Sequence, residues 1–309
     1  MNGDGLKDMI TGHYWPGDIH YFERRTDGSF GQLSYLKDET GRNLNAGLPW
    51  DDENTPRMES LAAAPWATDF DGDGDFDMLI GNIVGEVILV ENVGTKRKPL
   101  FSKGRTKLTA GGVPIKVGGG DSGPVHADWN GDGLRDLVIG AGDGSVVWCQ
   151  NTGSETKPDF ASPETLVVAP PEEASYEPYP HGTLPKRPGI RTKVCVADYD
   201  ADGRVDLLVG DFASEGGVEP ELTSEQVAER DSLRAEREAI EAEIQTYFDG
   251  LEDEADLDEA VLQAMSERMG KVYEALAGLE KRDTPVGHVW FYKRLAPEVE
   301  AIPAGAKGQ

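Results

Sequence analysis

Residues Asp69, Asp71, Asp73, Asp75 and Asp77 occupy positions 1, 3, 5, 7 and 9 of a short loop, Asp69-Phe70-Asp71-Gly72-Asp73-Gly74-Asp75-Phe76-Asp77, which runs directly into Met78-Leu79-Ile80-Gly81. Hard cations such as Ca²⁺ take roughly six to eight oxygen ligands, and alternating carboxylates with a backbone carbonyl at position 7 supply them. Gly74 follows the third carboxylate, where the chain must turn sharply and a side chain would obstruct it. Like charges packed this closely repel one another, so the loop reads chiefly as a cradle for a divalent cation.

The pattern recurs. Asp128, Asn130, Asp132, Leu134 and Asp136 fill the same five positions ahead of Leu137-Val138-Ile139-Gly140. Asp198, Asp200, Asp202, Arg204 and Asp206 fill them ahead of Leu207-Leu208-Val209-Gly210. The chain also opens inside a copy, with Asn2, Asp4 and Asp8 at positions 3, 5 and 9. Position 1 of that copy would precede Met1, so further sequence upstream is expected, and the lack of an apolar leader in the opening residues carries little weight. An EF-hand is excluded on two counts. Ile80, Ile139 and Val209 stand where a bidentate Glu is required, and the loops lead into β-branched runs in place of helices.

Other groups that could do chemistry lack support. Gly120-Asp121-Ser122-Gly123-Pro124 has a nucleophile's setting in part, but no His or Asp is placed by a motif to activate Ser122. His13, His20, His126, His181 and His288 show no metal-ligand spacing, although His126, two residues before Asp128, is placed to border a channel. Gly118–Gly120 is a loop and not a phosphate cradle. Of the six tryptophans, Trp15, Trp66, Trp129, Trp148 and Trp290 suit packing between sheets, whereas Trp50 lies among polar residues and is the best candidate for stacking on a sugar ring.

The elements that position the loops are strands. Motif starts lie 59 and 70 residues apart, a spacing that signals a repeat architecture. Each loop follows a short apolar segment (Ala64–Thr68, Pro124–Ala127, Lys193–Ala197) and precedes a Gly-rich turn and another strand (Asp18–Phe22, Glu86–Glu91, Ser145–Gln150, His288–Tyr292). Asn92-Val93-Gly94-Thr95 and Asn151-Thr152-Gly153-Ser154 then match closely. One unit is a four-stranded antiparallel meander, and meanders repeated at this period build an all-β propeller, complete or partial.

These residues resemble FG-GAP repeats, also called VCBS repeats, over about residues 1–218 and 285–295. The resemblance implies Ca²⁺ bound at positions 1, 3, 5, 7 and 9 on one rim of the propeller, with Leu134 and Arg204 ligating through their carbonyls. It implies a calcium-dependent extracellular or cell-surface adhesion module for a protein or polysaccharide ligand, in which the metal is structural. The alternative is a secreted carbohydrate-active enzyme, a lyase or hydrolase, on the same scaffold; no catalytic residue is assigned. Two departures stand out: fewer units than the family's usual seven, and the absence of the Asn-x-Gly-Thr segment from the last unit.

The chain has 309 residues and a formal net charge of −27, which argues against nucleic acid and anionic membranes as partners. No apolar run is long enough to span a bilayer, so no membrane insertion is expected. Cys149 and Cys195 fit small buried thiols better than a disulfide. Residues 219–284 interrupt the β pattern. Thr223 and Gln226 form a capping box ahead of Leu233, Ile240, Ile244, Tyr247 and Leu251. A second helix starts near Asp256 or Asp258 and carries Leu257, Val261, Met265, Met269, Val272, Leu276 and Leu279. Both helices are expected to be about 25 residues long, roughly 37 Å. An antiparallel hairpin follows, either self-packed or a docking arm for a protein partner. Three segments result: 1–218 with the loops, 219–284 with the hairpin, and 285–309 with a returning strand and tail.

Overall fold

A computed structural model describes residues 1–47, 58–171, 177–250 and 258–295. Leu251, Leu257, Trp50 and the tail from residue 296 therefore lie outside the described residues. The fold is mostly β, with several antiparallel sheets and two helices. The chain divides into two compact units, one of Met1–Glu177, Pro185–Ala213 and Val286–Gln309, the other of Pro178–Leu184 and Ser214–Pro285.

In the first unit, β1 (Met9–Gly12), β2 (Ile19–Phe22) and β3 (Ser34–Tyr35) make a three-stranded sheet. A second sheet runs in sequence order through β4 (Ala64–Thr68), β5 (Asp77–Gly81), β6 (Val87–Val90) and β7 (Thr106–Lys107). A small hairpin of β8 (Thr109–Ala110) and β9 (Val113–Pro114) follows. The next sheet repeats the meander with β10 (Gly123–Ala127), β11 (Asp136–Gly140), β12 (Val146–Cys149) and β13 (Glu164–Val167). The last is built on β14 (Ile190–Ala197) and β15 (Asp206–Glu215), to which β17 (Val289–Tyr292) returns after the helices; the end of β15 and most of β16 (Thr284–Val286), the further strand of this sheet, belong to the second unit. The register of β17 pairs Leu208 with Phe291, as that of β12 pairs Val138 with Trp148 and that of β6 pairs Leu79 with Leu89.

Successive sheets share cores, which explains the unbroken apolar runs after the loops. Met78 and Ile80 face Ile19, Leu36 and Leu44, whereas Leu79 faces Leu137, Ile139 and Cys149. Val138, on the opposite side of its strand, packs with Leu207 and Val209. Met78, Leu79 and Ile80 are completely buried, and each such side chain contributes about 1.5–3 kcal/mol of transfer free energy. The glycine that closes each run has a steric reason. A Cβ on Gly81 would lie 2.2 Å from the Ser122 carbonyl oxygen, and one on Gly140 would lie 2.3 Å from that of Thr192. These glycines let the backbone of the following sheet come close. At Gly210 the nearest atom is the Lys193 carbonyl oxygen, 3.6 Å away.

In the second unit, α1 (Ser224–Asp249) starts at a capping box: the Gln226 N–H donates to Thr223 Oγ1, and the Thr223 N–H donates to Gln226 Oε1. The second helix, α2 (Glu259–Leu276), is capped by the Asp258 carboxylate. Ile240, Val272 and Leu276 form its core with α1, and Arg268 pairs with Glu243 while Arg234 pairs with Glu280, which fixes an antiparallel arrangement. The helices have 26 and 18 residues, not equal lengths of about 25. Ala277 turns extended and Gly278 takes φ +87°, which ends α2 before Leu279.

Three further expectations are corrected. Cys149 is buried as a free thiol, but Cys195 is exposed. His126 is buried rather than bordering a channel, its Nδ1 3.1 Å from Thr68 Oγ1 and its ring between Phe70 and Phe160. Trp15 is 55% exposed, although Trp66, Trp129, Trp148 and Trp290 all pack against cores.

Candidate metal centre

Each of the three complete acidic loops joins the end of one strand to the start of the next, and its position-9 aspartate is the first residue of that next strand. The loops fold on their own side chains. Asp73 N–H donates to Asp71 Oδ1 at 3.1 Å, Gly74 N–H to Asp69 Oδ2 at 3.1 Å, and Asp75 N–H to Asp73 Oδ1 at 3.0 Å. The second and third loops repeat this wrapping around Asp128 and Asp198. Two positions per loop need the left-handed region: Gly72 and Gly74, Gly131 and Gly133, and Ala201 and Gly203. Ala201 holds φ +59° where the other loops have glycine, a conformation disfavoured by its Cβ.

Carboxylate oxygens of Asp69, Asp71 and Asp77 all lie within 4.8 Å of one another, and so do those of Asp198, Asp200 and Asp206. Asp73, Asp75 and Asp202 are not drawn into these triplets. In the second loop Asn130 replaces one carboxylate, and Asp128, Asp132 and Asp136 do not form such a triplet among the described residues. At Leu134 and Arg204 only the backbone carbonyl is available as an oxygen donor. In the opening copy, Asn2 accepts from the Asp4 N–H, and the Met1 ammonium pairs with Asp8 at 2.7 Å.

The first loop has the donor chemistry of a cation site. Asp69 Oδ1 and Asp75 Oδ1 are buried acceptors with no hydrogen-bond donor. A buried, unpaired carboxylate oxygen is costly unless a positive charge faces it. Burial also pushes the Asp77 carboxyl up to about 6, against the pull of its Asn92 and Phe70 N–H donors. The residues present therefore fit a hard divalent ion.

The position-9 aspartate has a second duty that sequence spacing did not disclose. Asp77 accepts from the Phe70 and Asn92 N–H groups, Asp136 from those of Trp129 and Asn151, and Asp206 from those of Tyr199 and Arg294. Each carboxylate thus ties its loop to the end of a neighbouring strand. The Asn-x-Gly segments are also explained. Asn92 Oδ1 accepts from Gly94 and Leu100, and Asn151 Oδ1 accepts from Gly153 and Asp159, closing a compact turn in each case. One such turn places Thr156 against Gly72 of the preceding acidic loop. Arg135, from the second loop, donates to the Asp69 carbonyl at 2.9 Å.

The third loop differs in its counter-charge. Lys293 of the segment after β17 pairs with Asp200, and its ammonium also lies 3.1 Å from Asp202. Arg204 pairs with Asp202 as well. No motif pointed to Lys293; its acidic partners lie far away in sequence.

Acidic loops that each open a strand of stacked antiparallel sheets define a β repeat class. Residues 128–209, from the second loop through the third, match the family model described as FG-GAP-like repeat. That stretch is similar to FG-GAP-like repeats. The curated proteins and the solved structures compared with the chain gave no match. FG-GAP repeats are typical of extracellular binding modules, and among the described residues no helix is long and apolar enough to cross a membrane.

Proposed function

We propose that the protein is a calcium-stabilised binding module, acting outside the cell or at its surface, that holds a protein or polysaccharide ligand without turning it over. In this reading the stacked sheets are blades of a β-propeller, complete or partial. The observation that carries it is the first loop, where Asp69, Asp71 and Asp77 converge while Asp69 Oδ1 and Asp75 Oδ1 are buried without donors. Asp69, Asp71, Asp73 and Asp77 would hold the ion through side chains, together with position 7. Asp198, Asp200, Asp202 and Asp206 would do so in the third loop, and Asp128, Asn130, Asp132 and Asp136 in the second. Bound Ca²⁺ supplies positive charge that relieves carboxylate repulsion. The aspartates at position 9 then hold loop to strand.

Extracellular sites of this kind bind at about 10⁻⁴–10⁻³ M. At about tenfold excess over Kd, each occupied site adds roughly 1.4 kcal/mol to stability by mass action. Thermal melts in EDTA and in millimolar Ca²⁺ or Mg²⁺ test this. The melting temperature should rise with Ca²⁺, and less with Mg²⁺, whose octahedral demand suits a flexible carboxylate loop poorly. Identical melts in EDTA and Ca²⁺ defeat the proposal.

A further inference from the structure

We propose that the hairpin of α1 and α2 docks a basic amphipathic helix in a groove along α2. The packing between the two helices is thin. Ile240, Val272 and Leu276 are buried, but Ile244, Leu262, Met265 and Met269 remain partly open, and Tyr273 is 46% exposed. These side chains, with Ser266 and Gly270, line an open groove of about 530 Å³. A Cβ on Gly270 would meet nothing within 4 Å, so the groove has a notch midway along it. Its apolar residues at 262, 265, 269 and 273 follow helical spacing and border the stripe that packs on α1, to which Met269 also belongs. Two methionines make such a surface adaptable to a partner side chain.

Charge selects the occupant. Residues 219–283 carry 20 acidic and 7 basic side chains. Four of those cations are already paired within the hairpin: Arg230 with Asp231, Arg234 with Glu280, Arg237 with Glu241 and Glu280, and Arg268 with Glu243. The other sixteen carboxylates of this segment outnumber its other three cations, Lys271, Lys281 and Arg282, so it keeps an acidic surplus. A second copy of the hairpin would bring the same negative charge against the first, and like charges brought together oppose association. A helix with a basic face and an apolar stripe matches both features of the groove. The inference does not depend on the acidic loops of the first unit.

The test uses the full chain and a fluorescein-labelled 18-residue peptide of leucine and lysine, with leucines at helical spacing, matched to the 18 residues of α2. Anisotropy is measured at about 50 mM and about 300 mM NaCl, which changes the screening length about twofold. One peptide should bind per chain, and at least about tenfold more weakly in the higher salt. Affinity should fall at least about tenfold in the Met265→Gln/Met269→Gln variant, and equally for a peptide of the same charge with glutamine for leucine. If the double variant loses helical circular dichroism, Tyr273→Ser at its exposed position takes its place. The proposal is overturned if both peptides bind alike, or if the substitutions leave affinity unchanged, because charge alone then explains binding. Light scattering that shows a dimer of the chain, dissolved by the same substitutions, overturns it in favour of a second copy.

Discussion

Asp77 Oδ1 accepts the backbone N–H of Asn92 at 2.8 Å, while Oδ2 of the same carboxylate accepts that of Phe70 at 2.9 Å. Asp136 repeats the bridge to Asn151 and Trp129, at 2.7 Å and 3.2 Å, and is completely buried. Removing such a carboxylate strands two backbone donors, and hydrogen bonds to a charged acceptor are each worth roughly 1.5–3 kcal/mol. Asp136→Ala should therefore destabilise the protein by about 3–5 kcal/mol in urea denaturation with EDTA present. Asp132→Ala, at an exposed position of the same loop, should leave the EDTA midpoint close to wild type while abolishing any stabilisation that this loop gains from calcium. Equal losses for the two variants in EDTA would show that position 9 has no separate structural duty.

The third loop should bind a cation more weakly than its carboxylates alone would allow, because the Lys293 ammonium occupies the space beside Asp200 and Asp202. Lys293→Met should raise calcium affinity there severalfold at low ionic strength, by removal of a competing positive charge. Isothermal titration checks the gain, which should vanish when Asp200→Asn is added. No gain in the single variant means that the lysine leaves the loop when the ion arrives.

Gly140 and Gly210 close equivalent strands but have different surroundings. A Cβ at Gly140 would meet the Thr192 carbonyl oxygen at 2.3 Å, whereas at Gly210 nothing is closer than 3.6 Å. Gly140→Ala should cost about 1–3 kcal/mol through overpacking of two backbones. Gly210→Ala should be close to neutral in the same chemical melts. Comparable losses would place the requirement in the strand rather than in the approach of the next sheet.

The two thiols should react very differently. Cys195 is exposed, and Cys149 is buried, where burial pushes its thiol up to about 12. Iodoacetamide at pH 8 should modify Cys195 quickly and Cys149 only after unfolding, as mass spectrometry of the digested protein will show. The raised Cys149 value also sets a pH dependence. The folded state holds this proton more tightly than the unfolded chain, so its contribution is complete below pH 9. It is lost as the pH rises from about 9 to about 12. Cys149→Ala should flatten the fall in stability over that alkaline window.

Local pattern located the acidic loops and the strands that frame them, because alternating aspartates and apolar runs are written within a dozen residues. Ala64–Thr68 is a strand with the expected bounds, and Thr223 with Gln226 caps α1 as their spacing foretold. What escaped depends on partners distant in sequence. The second donor to Asp206 is Arg294, 88 residues away, and the cation on Asp200 is Lys293, 93 residues away. The end of α2 was misplaced for another reason. Leu279 is buried, so the apolar rhythm outlasts the helix and hides the stop at Gly278. Cys195 was misjudged because its neighbours Val194 and Val196 pack against a core while its own side chain faces the other side of the strand. His126 looked like a channel residue from its place on a strand, but the aromatic pair that encloses it comes from the first acidic loop and from the connection between β12 and β13.

The bridging aspartate at position 9 separates keeping shape from choosing an ion. The outer acids of a loop can drift to Asn130, or be neutralised from within by a lysine, and the scaffold beneath stays fastened to its own main chain. On the proposed calcium reading, selectivity in each loop can thus be retuned one residue at a time, as a lock is rekeyed without rehanging the door.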